Sequence, residues 1–381
     1  MPVRTILDRL PIWLKVFLVL AALYLFLVGI GSMGAAFKMM GKSYTEDLLG
    51  TTGGPLISLF IGILATTLLQ SSSTTTSLVV GLVAAGAIPF HSAIYMVMGA
   101  NVGTTVTNTI VSLGHITRSN EYHRAFAAAT VHDFFNMLVL LVLFPLEIST
   151  GAIDWLSRGA TSAFKGIGGL NLASPIKLVT KPAIQALQDL VSTAWGGGWL
   201  LLVVAVLFTF GGLIFLVTLL RNIMAAKLGN LFDRVIFKSA RRGLVFGLLL
   251  TIFVQSSSIT TSIAIPLVGA GILTIQQILP YTMGANIGTT ATALLAALAA
   301  YAAADSGDPE SVRHATLGLH VAFYHVLFNV LGVAMGWWVR WLPISIAEGF
   351  ARLALWNRMI PFLYIVITFY VAPFLIIWIG R

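Results

Sequence analysis

Seven stretches of this chain are apolar over about the twenty residues a helix needs to cross the hydrocarbon core of a bilayer: Trp13–Gly31, Ser92–Leu113, Ala125–Leu146, Trp199–Leu220, Gln277–Ala300, Ala315–Val339 and Ile360–Ile379. Inside lipid every backbone amide and carbonyl must be satisfied within the protein, so such stretches fold as helices. A soluble domain draws about a quarter of its residues from Asp, Glu, Lys and Arg. This chain of 381 residues draws 9%, against 58% hydrophobic. The expected class is an all-α multi-pass membrane protein whose first partner is the lipid bilayer.

The net charge of +9 fits that class without a nucleic-acid partner, because Lys and Arg gather in cytoplasmic loops and set orientation. With the N-terminus inside, the cluster Arg221, Lys227, Arg234, Lys238, Arg241 and Arg242 is cytoplasmic, and Asp305, Asp308 and Glu310 lie outside. Arg4, Arg9 and Lys15 flank a first apolar run that is too long for a signal-peptide core, which makes an uncleaved membrane helix the expectation. The absence of cysteine excludes disulfides and thiolate chemistry.

The chain also contains itself twice. Under a shift of 185 positions, residues 70–107 lie on residues 255–292 without a gap, and 19 of the 38 pairs are identical. "QSSS" at Gln70 meets "QSSS" at Gln255, and "GANVGTTVT" from Gly99 meets "GANIGTTAT" from Gly284. Further on, "HDFFN" from His132 answers "HVLFN" from His325. Internal duplication marks repeat-built transporters. Counting spans places the two copies in opposite orientations, which predicts inverted-topology repeats.

The apolar arms beside each QSSS, Pro55–Leu69 with Leu78–Ala87 and Gly243–Val254 with Ile263–Ile272, are too short to span but reach the midplane. Each QSSS therefore reads as the tip of a re-entrant hairpin, its hydroxyls suited to turns and helix N-caps. The Gly-Ala-Asn and Gly-Thr-Thr runs read as breaks in a helix, freeing carbonyls for a cation and amide N–H groups for an anion. Hydroxyls serve both ions. A single Ser/Thr cluster in a membrane helix is ordinarily packing; two copies with the same downstream break point to a binding site.

The expected layout is a membrane helix and arm (1–54), repeat 1 (55–146), an extracytoplasmic linker (147–198), a membrane helix with a basic cytoplasmic arm (199–242), repeat 2 (243–340), and an interfacial segment with a last helix (341–381). Of the 13 acids, Asp133 alone is expected in the middle of a span, beside His132. An intramembrane carboxylate needs a cation or donor partner, with sodium first and a proton second. Its alternative role is a structural bond to His132 or to a helix terminus. His132, His320 and His325 lack metal-ligand spacing and are expected as hydrogen-bonded core residues. "GWWVRWLP" from Gly336, with Trp195 and Trp199, is expected at the membrane interface.

The paired QSSS and GANxGTTxT motifs, with "TVHDFFN" and "HVLFN", resemble the type II sodium-dependent phosphate cotransporters, in a compact bacterial form. The resemblance covers roughly 55–146 and 243–340. It implies sodium-coupled symport of inorganic phosphate, an elevator-type architecture, Na+ as coupling ion with no other cofactor or metal, and no enzyme activity. By this resemblance Gln70, Ser71, Ser72, Ser73, Asn101, Ser256, Ser257, Ser258 and Asn286 are the candidate phosphate residues. Gln255, Ser256, Thr289 and Thr292 would form one sodium site, and Thr104, Thr107, Asp133 and Asn136 are further sodium candidates. Asp133 stands where electrogenic members carry Asp and electroneutral ones Gly, so electrogenic transport is implied. His115 and Arg118 depart from the residues the family associates with a further sodium site. The expected location is a bacterial cytoplasmic membrane; oligomeric state is open, a homodimer being the option considered.

Three other readings remain. A carrier of another oxyanion, a dicarboxylate or sulfate, would share the architecture. A channel sits poorly with tips entering from both sides. An intramembrane hydrolase built on a QSSS serine and His132 lacks a Gly-x-Ser-x-Gly setting.

Overall fold

A computed structural model describes residues 10–40, 53–166, 173–192, 197–235, 239–304 and 306–380. Arg4, Arg9, Trp195, Lys238 and Asp305, which entered the topology argument, lie outside the described residues. Sixteen α-helices account for nearly everything described: α1 Ile12–Met40, α2 Pro55–Leu69, α3 Ser72–Ala84, α4 Phe90–Gly103, α5 Val106–Ser112, α6 Ser119–Thr150, α7 Ala152–Gly166, α8 Ala173–Ser192, α9 Gly197–Val235, α10 Ala240–Val254, α11 Ser257–Gly269, α12 Ile275–Ala303, α13 Pro309–Trp338, α14 Trp341–Trp356, α15 Ile360–Val366 and α16 Ala372–Ile379. Among the described residues, six segments are long and apolar enough to cross a membrane. The chain is an all-α multi-pass membrane protein.

The seventh expected span, Ser92–Leu113, is divided between α4 and α5 by a turn at Thr104–Thr105. Its counterpart does not break: α12 runs unbroken through Gly284, Gly288 and Thr290. The glycines there serve packing instead. A Cβ on Gly284 would fall on the Leu244 carbonyl oxygen, and one on Gly99 would fall on that of Leu59. Each Gly-xxx-Gly face thus lets the backbone of a QSSS arm lie against its partner helix, α10 on α12 and α2 on α4.

The copies also exchange arms. Helix α3, which begins at the first QSSS, packs on α12 and α13 of the second copy, while α11 packs on α5 and α6 of the first. The core is consequently shared, and both QSSS segments are drawn into it. Helices α1 and α9 pack on each other beside this body, with Gly212 allowing close approach to Phe26.

The described part of the linker is helical. Helix α7 docks on α13 and α8 on α1. Glu147 accepts from the first amides of α7, Ile153 N at 2.8 Å and Asp154 N at 3.1 Å. Asp154 then pairs with His320 of α13 at 3.0 Å and with Arg158 at 2.7 Å. Glu147 and Asp154 are both buried, so Asp133 is not the sole acid inside the protein. Trp338 and Trp341 are exposed.

Candidate functional site

Each QSSS turn is built the same way. Helix α2 ends at Gln70 and α10 at Gln255, and among the described residues these are the two non-glycine positions with positive φ, 53° and 55°. A left-handed residue ends a helix but strains an L-side chain by about 1–2 kcal/mol. Both glutamines offset the strain in the same way. Gln70 Nε2 donates to the Thr67 carbonyl at 2.7 Å and Gln255 Nε2 to that of Ile252 at 2.5 Å, capping the last turn. Their Oε1 atoms accept from Thr107 at 2.8 Å and Thr292 at 2.7 Å. The motif needs a side chain that both donates and accepts, and glutamine does.

Ser71 and Ser256 are the N-caps of α3 and α11, each accepting from the amide three residues on, at 3.2 and 3.4 Å. The two helices therefore point the positive ends of their dipoles, and first-turn amides without intrahelical partners, at the QSSS region. The two tips meet there. Ser72 Oγ donates to Thr104 Oγ1 at 3.1 Å, and Thr104 Oγ1 shares a bond with Ser258 Oγ at 3.1 Å. Thr104 sits in the turn between α4 and α5, and its hydroxyl meets hydroxyls from both copies. Ser72, Ser73, Ser257 and Ser258 are all buried. Ser73 Oγ has no partner among the described residues, and Thr289 turns back to the Ala285 carbonyl at 3.0 Å.

Asp133 is fully buried. Its Oδ2 accepts from Thr109 at 3.0 Å and from Tyr364, near the end of the chain, at 3.1 Å; Oδ1 has no partner among the described residues. A buried carboxylate oxygen left unmatched calls for a cation or a proton. Asp133 does not bond His132; its donors are hydroxyls on α5 and α15.

His132 joins a second network that sequence reading did not anticipate. Its Nε2 lies 2.8 Å from Asn286 Oδ1, and its Nδ1 lies 3.2 Å from Asn108 Nδ2. Asn286 Nδ2 donates to Asn136 Oδ1 at 2.7 Å, and Asn136 Nδ2 donates to the Asn101 carbonyl at 2.6 Å. Asn108 Oδ1 accepts from Thr261 at 2.8 Å and Ser262 at 3.0 Å. The asparagine orientations require a neutral His132 with its proton on Nε2. Asn101 is tied across helices by its backbone carbonyl alone, its side chain donating to the Val97 carbonyl at 3.0 Å, whereas the candidate phosphate residue Asn286 is committed to inter-helix bonding through its side chain. So is the candidate sodium residue Asn136.

His115 and Arg118 do not enter the interior. Both bind Glu121, at 3.3 and 3.1 Å, and Arg118 is 73% exposed. Asn108, Thr109 and Tyr364 were missed from sequence. Thr109 and Asn108 lie one turn past Thr105 on the face toward α6, a spacing that could have flagged them; Tyr364 is 231 residues from Asp133 and gave no local signal.

Residues 25–173 and 207–347 match the family described as Na+/Pi-cotransporter. The sodium-dependent phosphate transport protein 2A of Rattus norvegicus is 30% identical over 438 residues, covering 95% of this chain and 67% of that protein. Protein 2B of Pongo abelii and protein 2B of Homo sapiens are each 28% identical over 452 residues, covering 94% of this chain. The chain spans 64% of the length of those two 2B relatives. No solved structure matches it significantly.

Proposed function

The chain belongs to the Na+/Pi-cotransporter family, and on that premise we propose that it carries inorganic phosphate together with sodium by alternating access. The observation that carries the reading is the chain Ser72–Thr104–Ser258, which joins both QSSS tips at 3.1 Å per link. Two capped helix N-termini and a set of hydroxyls converge there, and oriented amides and hydroxyls hold an oxyanion without a buried arginine. A carrier that must release its cargo gains from lacking the tight bidentate pair an arginine would make.

Phosphate is proposed to contact Gln70 to Ser73, and Ser256 to Ser258. The Gln255–Thr292 pair at 2.7 Å, with Ser256 and Thr289, supports one sodium site at the second tip, and Gln70–Thr107 at 2.8 Å supports its counterpart with Thr104. Asp133 is the proposed ligand of a further sodium through Oδ1, which makes transport electrogenic. Opposite orientation of the copies, the re-entrant character of α2–α3 and α10–α11, and elevator movement belong to the same proposal, supported by the matched arm exchange. The basic cluster before α10 supports a cytoplasmic N-terminus, and location in a bacterial cytoplasmic membrane belongs to the same proposal.

Sodium and phosphate each lower the other's desolvation cost, so binding is cooperative. The test is binding of radiolabelled phosphate to the purified protein with sodium or with potassium. Sodium-dependent binding displaced by cold phosphate supports the reading. Displacement by sulfate or a dicarboxylate, with no effect of phosphate, assigns the site to another oxyanion.

A further inference from the structure

The repeat alignment pairs Asn101 with Asn286, His132 with His325 and Asn136 with Asn329. The structure treats the two sets differently. The first set is bonded throughout: His132 to Asn286 at 2.8 Å, Asn286 to Asn136 at 2.7 Å, and Asn136 to the Asn101 carbonyl at 2.6 Å. The symmetric bonds would join His325 to the Asn101 side chain, Asn101 to Asn329, and Asn329 to the Asn286 carbonyl. None of these forms among the described residues. Asn101 Nδ2 folds back to the Val97 carbonyl at 3.0 Å, and Asn329 Nδ2 to the His325 carbonyl at 2.9 Å. His325 is fully buried with no partner for either ring nitrogen.

The hydroxyls repeat this asymmetry independently. Ser72, Thr104 and Ser258 are joined, while their counterparts Ser257, Thr289 and Ser73 are not. The helix is interrupted at Thr104–Thr105 and continuous at Thr289–Thr290. A buried imidazole without hydrogen bonds is costly. It is accounted for if its partners arrive in another conformation of the same protein.

We propose that His325, Asn329 and Asn101 are the positioning residues of a second lock, equivalent to His132–Asn286–Asn136, and that the two locks close alternately as the carrier changes face. The proposal rests on the alternating-access reading above. In exchange, Asn101 and Asn329 release their own-helix carbonyls and bond each other, His325 donates to Asn101, and the first set falls back onto its own helices. The locks are unequal. Ala293 stands where Asn108 stands, so His325 lacks the link that Asn108 gives His132. The conformation seen here is accordingly the favoured one.

The chain has no cysteine, so introduced pairs report cleanly. One protein carries Asn136→Cys with Asn286→Cys and reports the first lock; another carries Asn101→Cys with Asn329→Cys and reports the second. Each is reconstituted in liposomes with sodium and phosphate, and treated with a short bifunctional methanethiosulfonate. Adding His325→Ala should speed cross-linking of the 136/286 pair, and adding His132→Ala should speed the 101/329 pair, each roughly fivefold, the effect of about one hydrogen bond. A merely structural histidine would lower the melting temperature and leave both rates unmoved. Unmoved rates, or either histidine variant alone speeding or slowing both pairs alike, overturn the proposal. Phosphate counterflow by the unmodified protein separates the two readings. Opposite rate changes without phosphate counterflow keep the locks and discard the anion; counterflow with unresponsive pairs keeps the transport and discards the locks.

Discussion

Gln255 accepts the Thr292 hydroxyl at 2.7 Å across 37 residues of sequence, holding the second QSSS turn to the helix behind it. The first copy repeats the contact, Gln70 to Thr107 at 2.8 Å. The backbone at Gln255 is left-handed, at φ 55°, so backbone and side-chain contributions can be separated. Gln255→Gly relieves the backbone and removes the side chain; Gln255→Ala removes the side chain and keeps the strain. Apparent sodium affinity should fall about tenfold in both, as expected for losing a buried hydrogen bond of roughly 1–2 kcal/mol. Melting temperature should fall further for the alanine variant. Uptake titrated with sodium, beside thermal unfolding in detergent, checks both.

Asp133 offers one unmatched, buried oxygen. Asp133→Gly should leave phosphate uptake sodium-dependent while abolishing its response to membrane potential and lowering the sodium Hill coefficient. Removing one translocated charge eliminates about 2.3 kcal/mol of driving force per 100 mV. Current recordings on proteoliposomes provide the comparison; a variant that remained voltage-driven would take Asp133 out of the sodium site.

Gly284 has the Leu244 carbonyl where a Cβ would go, whereas Gly211 has nothing within 4 Å. Gly284→Ala should destabilise the protein by about 1–3 kcal/mol through overpacking. Gly211→Ala, on an open helix face, should be neutral or slightly stabilising. Thermal unfolding of the two variants tests whether these glycines set the distance between α10 and α12.

Much of this architecture could be read from local chemistry. Hydropathy marks the spans, and duplication marks the two QSSS turns, because both signals reside in contiguous residues. The left-handed glutamines were not legible, since their strain is offset by a threonine 37 positions away. Gly99 and Gly284 read as helix breaks, but a glycine that breaks a helix and one that admits a neighbouring backbone look alike in sequence. Only the copy with Thr104 in its turn is interrupted. The asparagine–histidine network joins residues about 150 positions apart and depends on α6 of the first copy packing against α12 of the second.

Asp154 ties the linker helix α7 to α13 through His320 and holds Arg158 beside it. Asp154→Ala removes a buried, hydrogen-bonded partner from both and should cost about 1–3 kcal/mol. The loss should appear as a lower melting temperature with the sodium dependence of uptake unchanged, since none of the three residues approaches the QSSS tips. A change in sodium affinity would mean the linker helix does reach the transport site.

The most direct test of sodium-coupled phosphate carriage is uptake of radiolabelled phosphate into proteoliposomes holding the purified protein, under an inward sodium gradient and a clamped potential. Uptake should require sodium and increase with an interior-negative voltage. Uptake indifferent to sodium, or none at all while sulfate or a dicarboxylate enters, would contradict the assignment.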